Sequence, residues 1–380
     1  MWWLRSFLAF NICFCVSAEA AIPRPSLTSL ENRDVRVLLG HFTELEISGT
    51  DLVLNNTVSI ESSSVFSIHC NQAGISYGLN SKPEQRLQIS SRGNFVNIQD
   101  KAYRGDIFIY IDHGNCAVVN KLNLEKYIAG LINKEMLASW PMEALRAQAV
   151  ASRTYALHQM QYSSARNFDL ESTTQDQVYD GASSETPKSN RAAESTQGMV
   201  LAWKHEPIKA FFHADCGGKT ENPEAVWGEK YGYIRPVVCP YHQTSASQRH
   251  WNFHSSLYQL DQALHKVAGL LPRGFARLAH LESGPNNENA RMNDLIISDS
   301  QGNTAVISAN AFRNAVGNTH IKSTAFDLHA NDNGVEFDGH GYGHGVGMCQ
   351  IGAKAMADLG KSYREILQFY YPLAKLERLQ

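Results

Sequence analysis

The apolar positions of the chain divide it into a strand-rich first part and a mixed second part. Residues 35–39 and 107–111 are short runs of β-branched and aromatic side chains, and turn-forming residues such as those at 91–94 separate runs of this kind. Residues 116–119 predict one more strand. We therefore expect residues from about 34 to 119 to form a β-rich region.

After this region the period of the apolar positions becomes helical. Leu124, Ile128, Leu131 and Ile132 recur at i, i+4, i+7 and i+8, which places them on one face of an α-helix. Pro141 then suits the first position of a second helix. That helix is rich in alanine, which favours helix and allows close packing against neighbours.

The rest of the chain predicts an α+β subdomain and a final helix. Residues 240–335 mix a helical pattern near 257–267 with strand-like runs, and Ser362 and Glu365 have the spacing of a capping box. The expected class is α+β, with a β-rich N-terminal part, a mixed α/β catalytic domain and an inserted or additional α+β subdomain. The predicted divisions are residues 1–20 as a signal peptide, 21–119 as the β-rich region, 120–239 and 336–380 as the two parts of the catalytic region, and 240–335 as the subdomain.

The N-terminus has the pattern of a secretory signal peptide. Arg5 supplies a positive charge, residues 7–16 are apolar, and Ala18-Glu19-Ala20 resembles a small-residue cleavage site. The apolar run is short for a membrane span, although an uncleaved anchor or a buried first helix would give a similar pattern. We expect an exported protein, periplasmic or cell-wall associated, that meets the membrane only transiently through this peptide.

The composition is that of a globular protein and excludes a nucleic-acid partner. Of the 380 residues, 43% are hydrophobic and 19% are charged, a balance that supports a buried core. The net charge of -3 provides no basic surface for nucleic acid, and the sequence contains no glycine-rich nucleotide-binding motif. We expect no cofactor.

Five cysteines follow the predicted signal peptide, and an oxidising compartment favours disulfides. We expect Cys216 to pair with Cys239, and Cys70 with Cys116 as a second pair, which leaves Cys349 over. His213-x-x-Cys216 and Cys239-x-x-His242 also have zinc-ligand spacing. Because the disulfide competes for the same thiols, we expect no metal.

Glu135 is the candidate catalytic acid. It lies four residues after Leu131 and three after Ile132, so it continues the apolar stripe of the first helix if that helix extends so far. Partial removal of a carboxyl group from water raises its pKa, and a general acid needs such a shift to hold its proton near neutrality. A solvated glutamate at the end of the helix is the alternative.

Polar side chains on the alanine-rich helix are candidate sugar contacts. Arg146 and Arg153 share one face, and Gln148, Ser152 and Tyr155 form a second polar stripe. Guanidinium and amide groups suit the hydroxyl and acetamido groups of sugars. An ordinary solvated helix face is the alternative.

Glycine alternates with larger residues at 339–348. If this segment is extended, all its side chains share one face and the other face is bare backbone that a ligand can approach closely. We expect His340 and His344 to line a saccharide groove or to orient Glu135; a tight structural strand is the alternative. Five glycines oppose the helix that a zinc-binding histidine pair would need.

Taken together, several segments resemble the SpoIID/LytB family of cell-wall proteins, over residues of about 115–380. The segments are LEKYIAG at 124–130, Glu135-Met136, WPMEALRAQAVASRTYA at 140–156, QVYDG at 177–181, FHADCGGKTE at 212–221, VWG at 226–228, GHGVGMCQIGA at 343–353 and YYP at 370–372.

The resemblance implies a lytic transglycosylase of peptidoglycan glycan strands, with strands stripped of stem peptides as preferred substrate. It implies that Glu135 is the catalytic acid and that Arg153 matters for activity. Lys219, in a predicted turn, and Gln350 are further candidate substrate contacts. Some members hold zinc in a loop that corresponds to residues 163–176, which here contain neither cysteine nor histidine, so that metal is not expected.

A single carboxylate suffices for the chemistry that the resemblance implies. Glu135 would protonate the glycosidic oxygen between N-acetylmuramic acid and N-acetylglucosamine, and the muramoyl C6 hydroxyl would then attack C1. A hydrolase usually needs a second carboxylate, for which Asp176 and Glu143 are weak candidates. Because one family member is named as an amidase enhancer, a non-catalytic activator of a cell-wall amidase is the alternative function. A zinc hydrolase is a third and weaker one.

Overall fold

The computed structural model of the chain describes residues 33–60, 65–78, 82–163, 165–241, 250–284, 291–331 and 334–379. The predicted signal peptide at residues 1–20 and His242 lie outside the described residues. Within the described ranges, no helix is both long enough and apolar enough to cross a membrane.

The described residues from 33 to 123 form β-strands that lie in two sheets. The strands are β1 (Asp34–Phe42), β2 (Glu44–Gly49), β3 (Leu52–Leu54), β4 (Val58–Ile60), β5 (Phe66–Asn71), β6 (Gly74–Tyr77), β7 (Arg86–Ser91), β8 (Val96–Ile98), β9 (Lys101–Tyr103), β10 (Asp106–Asp112), β11 (Asn115–Asn123) and, after two helices, β12 (Leu170–Glu171). One sheet has the order β12-β1-β11-β10-β7-β3-β4, and the other has the order β6-β5-β2-β8-β9. This confirms the β-rich N-terminal part.

A disulfide between Cys70 on β5 and Cys116 on β11 joins these two sheets. It is the second of the two predicted pairs. The first prediction is corrected, because Cys216 and Cys239 are buried thiols in the structure. The third thiol, Cys349, lies beside them, so proximity does not single out one pair.

The described part of the chain contains the helices α1 (Leu124–Glu135), α2 (Met142–Tyr162), α3 (Pro187–Ser195), α4 (Pro223–Trp227), α5 (Leu257–His265), α6 (Ala309–Val316), α7 (Gln350–Asp358) and α8 (Tyr363–Tyr370), with a 3₁₀-helix at Gly181–Ser184. The fold is thus mixed α and β, as predicted. The capping box of Ser362 and Glu365 is present at the start of α8.

The predicted apolar stripe explains how α1 packs. Asn123 caps its N-terminus by accepting a hydrogen bond from the Glu125 backbone N–H. Ile128 and Leu131, like the other predicted stripe residues, are completely buried. The helix ends at Glu135, where Met136 turns into extended backbone. The catalytic candidate therefore stands at the last turn of a helix that the core holds along its length.

The other strands among the described residues form four small sheets. They are β13 (Met199–Trp203), β14 (Glu206–Pro207), β15 (Phe212–His213), β16 (His250–Ser255), β17 (Leu278–Ser283), β18 (Asp294–Asp299), β19 (Thr304–Ser308), β20 (Phe326–Asn331), β21 (Gly334–His340), β22 (Met348–Cys349) and β23 (Lys375–Arg378). The sheets have the orders β14-β13-β23, β15-β22, β16-β21-β20 and β17-β18-β19. A hydrophobic cluster within residues 251–337 is separate from the larger core that α1 and α2 share.

The glycine-rich segment is not the extended strand that the alternation suggested. β21 ends at His340, and Gly341, Gly343, Gly345 and Gly347 all have positive φ angles. The glycines therefore supply left-handed backbone at every second residue, a conformation that other residues rarely adopt. The segment runs along other segments of the same chain through isolated bridges rather than through a continuous ladder.

We expect Gly347→Ala to destabilise the protein by on the order of 2 kcal/mol or more. Gly347 has a φ of 73°, and an added Cβ would lie 2.0 Å from the Phe211 carbonyl oxygen, which is backbone and accepts a hydrogen bond from Met348 N–H. Gly360→Ala is the matched control, since Gly360 has a similar φ of 80° and open space around the added Cβ. Equal losses of unfolding free energy in urea for both variants would contradict the role given to the contact.

Candidate active site

A groove of about 480 Å³ is lined by the end of α1 and by residues from the part of the chain that contains the separate hydrophobic cluster of residues 251–337. Glu135, Tyr155 and Asp176 line it, together with Arg313 and Asn314 of α6. Four residues predicted for the site are therefore brought together here, since His344 and Gln350 also line this groove with Glu135 and Tyr155.

Glu135 is held by two hydrogen bonds. The backbone N–H of Val178 donates to Oε1 at 2.8 Å, and Gln350 Nε2 donates to Oε2 at 3.4 Å. Burial raises the pKa of Glu135 to about 7, against the opposing effect of these two donors. The ammonium group of the adjacent Lys134 pairs with Asp180 and not with Glu135, so it does not lower the pKa of Glu135.

The segment that donates to Glu135 is fixed by the residues on either side of Val178. Gln177 accepts a hydrogen bond from Tyr127 OH at 2.9 Å and donates to the Ser152 carbonyl at 3.3 Å. Tyr179 OH donates to Asn120 Oδ1 at 2.9 Å. Because both flanking side chains are anchored in the core, the Val178 N–H is held in position toward the carboxyl group.

A chain of amides connects Glu135 to the interior of α2. Gln350 Nε2 also donates to Gln148 Oε1 at 3.3 Å, and Gln148 Nε2 donates to Ser152 Oγ at 2.9 Å. Gln148 is completely buried. It therefore positions Gln350 from behind, whereas the sequence suggested that it would touch sugar directly.

Asp176 is the second carboxylate that lines the groove. Its Oδ1 accepts hydrogen bonds from Tyr155 OH and Gln159 Nε2, both at 2.9 Å, and its Oδ2 accepts one from the Glu171 backbone N–H, also at 2.9 Å. This arrangement ties the loop before Val178 to α2. Glu143, the other weak candidate, lies outside the groove lining and binds Arg146 and the N-terminus of α8.

Three aromatic rings form a surface in the groove. Phe211 and Trp227 are stacked with 4.7 Å between ring centroids, and the His344 ring lies 5.0 Å from Trp227. His344 Nδ1 accepts a hydrogen bond from the Val346 backbone N–H. Burial lowers the pKa of His344 to about 3, so its ring is neutral. Flat apolar rings with a few polar groups suit the faces of a sugar ring.

The wall formed by α6 was not predicted as part of the site. Arg313 is buried, and its Nε donates to the Lys322 carbonyl at 3.2 Å. Burial lowers its pKa to about 10, which still leaves a positive charge at neutral pH. No motif in the sequence marks this helix. The VWG segment, by contrast, was visible in the sequence and supplies Trp227.

Three predicted substrate contacts lie elsewhere. Arg153 is completely buried and pairs with Glu125 at 2.6 Å, because α2 is covered on this face rather than solvated. Lys219 forms a backbone bridge with Val238, and exposed His340 packs beside Gly217 at the end of β21. None of the three is among the residues lining the groove.

Comparison with known proteins shows which family the sequence of this chain matches. The profile described as Stage II sporulation protein (SpoIID) matches residues 112–203, and the profile described as Domain of unknown function (DUF8618) matches residues 237–347. An uncharacterized protein of Brachyspira hyodysenteriae is 35% identical over 71% of this chain and 70% of its own length. Stage II sporulation protein D of Bacillus subtilis is 30% identical over 67% of this chain and 74% of its own. The amidase enhancer of Bacillus subtilis is 30% identical over 64% of this chain, which spans 39% of that protein.

Proposed function

Because the chain belongs to the SpoIID family, we propose that it is a lytic transglycosylase that cleaves the glycan strands of peptidoglycan with Glu135 as its acid and base. The observation that carries the proposal is a carboxyl group with a pKa of about 7 in a groove lined by aromatic and amide side chains. The names of the Bacillus relatives, an amidase enhancer and a sporulation protein, support a cell-wall role, and export of the chain is part of this proposal.

The hydrogen bonds of Glu135 suggest which oxygen acts. Since the Val178 N–H occupies Oε1 at 2.8 Å, the proton of the acid is carried on Oε2, whose contact with Gln350 is the longer one at 3.4 Å. Oε2–H protonates the glycosidic oxygen of the muramoyl bond, and the bond from C1 to that oxygen breaks. The N-acetylglucosamine end leaves as an alcohol.

The second half of the reaction returns the proton. The C6 hydroxyl of the same muramoyl residue forms a bond to C1, and its proton passes to the Glu135 carboxylate. The product is a 1,6-anhydro sugar, and the acid form of Glu135 is restored. No water enters the balance, so the step needs no second carboxylate to activate water. Asp176, which three donors hold, serves in this proposal to fix the loop.

Mass spectrometry of the released fragments tests the proposal. Purified glycan strands without stem peptides are incubated with the protein, and the ends of the products are identified. Anhydro-muramoyl ends, lighter by one water than reducing ends, are expected. Reducing ends would instead indicate hydrolysis and would direct attention to Asp176 as the second acid. Absence of any cleavage would contradict an enzymatic role on this substrate.

The pH dependence gives a second test. Because Glu135 must be protonated to donate, we expect kcat/KM to be constant below neutrality and to fall as pH rises above about 7, the pKa of the group. Titration of His344 does not change kcat/KM near neutral pH, since its ring is already neutral there. A bell-shaped profile in the cleavage assay, with a second pKa in the acid range, would contradict a mechanism with one carboxylate.

Activation of an N-acetylmuramoyl-L-alanine amidase is the second candidate function, and the amidase-enhancer relative favours it. In this case the groove binds glycan without cleaving it, and the ionisation of Glu135 has no role. An amidase assay on cell walls with added Glu135→Gln protein distinguishes the two functions. Stimulation equal to that by the wild type, with no anhydro ends from either protein, would favour activation.

A further inference from the structure

Three buried thiols lie close to the buried imidazole of His213, a residue that also lines the groove. The parallel pair of β15 and β22 places His213 beside Cys349 in register. One ring nitrogen of His213 and the sulfur atoms of Cys216 and Cys349 all lie within 4.8 Å of one another. Cys239 is also buried and interacts with both other thiols, but its sulfur lies outside this 4.8 Å group and is 3.1 Å from the Tyr370 hydroxyl. Three potential ligands therefore share one buried location, and a fourth lies beside them.

We propose that Cys216, Cys239, Cys349 and His213 bind one zinc ion as a closed, structural site. Three thiolates and one imidazole are a ligand set that zinc takes in tetrahedral structural sites. The site needs no open position for water, and it is distinct from the zinc loop that the family resemblance implies for other members. It does not depend on the proposed cleavage activity.

The hydrogen bonding of His213 fits a metal ligand. Its Nδ1 is 3.1 Å from the Val346 carbonyl oxygen, so Nδ1 carries the proton and donates it there. Its Nε2 is buried with no hydrogen-bond partner among the described residues. A ligating histidine commonly donates from one nitrogen to a backbone carbonyl, which leaves the lone pair of the other for the metal. Burial also keeps the ring neutral, because it lowers the pKa of His213 well below its usual range.

Backbone N–H groups around two of the sulfur atoms can donate to thiolates, and the one contact of the opposite kind, from the Cys349 thiol to the Ala214 carbonyl oxygen at 3.9 Å, is lost when the thiol loses its proton. The N–H of Gly218 donates to Cys216 Sγ at 3.4 Å, and Cys349 Sγ accepts from the N–H groups of Cys216 and Gly352, both at 3.3 Å. Cys349 also caps the N-terminus of α7, whose dipole favours negative charge. Such donors stabilise sulfur that has lost its proton to a metal.

A disulfide explains these contacts less completely. A bond between Cys216 and Cys239 would use two of the three sulfur atoms and would leave Cys349 and the Nε2 of His213 buried without a chemical role. A zinc ion uses all four groups. Its consequence for the groove is mechanical: Gln350, which contacts Glu135, directly follows Cys349 in the chain. The ion would fix the segment that carries Gln350.

Metal analysis of the purified full chain tests the site. Protein produced in zinc-supplemented medium is passed over a desalting column and measured by inductively coupled plasma mass spectrometry. We expect one zinc per chain in the wild type and in the Cys70→Ser/Cys116→Ser control, which keeps the cluster intact. Cys216→Ser, Cys239→Ser and Cys349→Ser are each expected to lose most of it. Wild type without zinc would overturn the proposal.

A second measurement does not depend on the variants folding. Cobalt(II) replaces zinc in the wild-type chain, and tetrahedral coordination by thiolates gives sulfur-to-cobalt charge-transfer bands in the near ultraviolet with visible d–d bands. We expect both, together with alkylation of Cys216, Cys239 and Cys349 after chelation and unfolding. A spectrum without the sulfur bands, or a Cys216–Cys239 disulfide in the peptide map, would overturn the zinc site and would leave the cleavage proposal untouched.

Discussion

Replacement of Glu135 by glutamine is expected to lower the rate of glycan cleavage by about 10²–10⁴-fold, the usual contribution of a positioned general acid. The substitution keeps the size of the side chain and an oxygen that can accept the Val178 N–H at 2.8 Å. It removes the proton that the leaving oxygen needs and the carboxylate that receives the C6 proton. Binding of glycan strands should change little, because the groove keeps its aromatic and amide surface.

The control for this prediction is Glu194→Gln, the same change on the exposed face of α3. Rates of anhydro-end formation are measured for both variants, together with retention on immobilised glycan. Unchanged cleavage by Glu135→Gln would remove Glu135 from the mechanism. Loss of both cleavage and retention would mean that the residue shapes the groove instead of acting on the bond.

Stability gives an independent check on the pKa of Glu135. The folded pKa of about 7 lies above the ordinary value of 4.5, so the folded protein binds this proton more tightly than the unfolded chain does. The contribution is fully present below the ordinary value and is lost as pH rises through 7. The melting temperature of the wild type should therefore fall relative to that of Glu135→Gln between pH 5 and pH 8. Parallel curves would contradict the shift.

The position of Glu135 could be predicted because it depends on local spacing alone. The stripe of Leu131 and Ile132 fixes the buried face of α1, and a residue one turn further on must lie near that face. The strand-rich first part is predictable for a similar reason, since alternation and turn residues act over short distances. The Val178 N–H that contacts Glu135 lies 43 residues away and carries no side-chain signal.

The orientation of α2 shows what spacing cannot tell. Arg153, Gln148 and Ser152 have the pattern of polar stripes, yet all three are completely buried, because neighbouring elements cover this helix on several sides. Helical periodicity predicts which residues share a face, but it does not predict whether water or protein covers that face. The α6 wall was missed for a related reason, since it joins the groove through tertiary contacts between distant segments.

Replacement of Arg153 is expected to have the second large effect, a loss of stability with little change in the catalytic rate. Its guanidinium donates to both Glu125 oxygens, at 2.8 and 2.6 Å, and to the carbonyls of Met199 and Ala193. Arg153→Met would leave the Glu125 carboxylate largely buried without its partner, since that side chain is only 15% exposed. Removal of one member of a buried ion pair costs about 3–5 kcal/mol, and the partial exposure of Glu125 favours the lower end.

Arg146→Met is the matched control, because Arg146 lies two turns earlier on the same helix and pairs with Glu143 where the two side chains are 30% and 29% exposed. Exposed pairs contribute at most about 1 kcal/mol, so the control should lose little. Unfolding in urea gives the two free energies, and kcat is measured on the fraction that remains folded. A structural role predicts a large loss of stability with kcat nearly unchanged.

The opposite pattern would support what the family resemblance implies for Arg153. A substrate contact would raise KM or lower kcat while leaving the free energy of unfolding near that of the control. A double variant distinguishes the two roles further. Glu125→Gln combined with Arg153→Met removes both charges of the pair, so it should regain part of the stability that Arg153→Met alone loses. Such recovery follows from a buried ion pair, whereas a guanidinium that binds glycan has no reason to depend on Glu125 in this way.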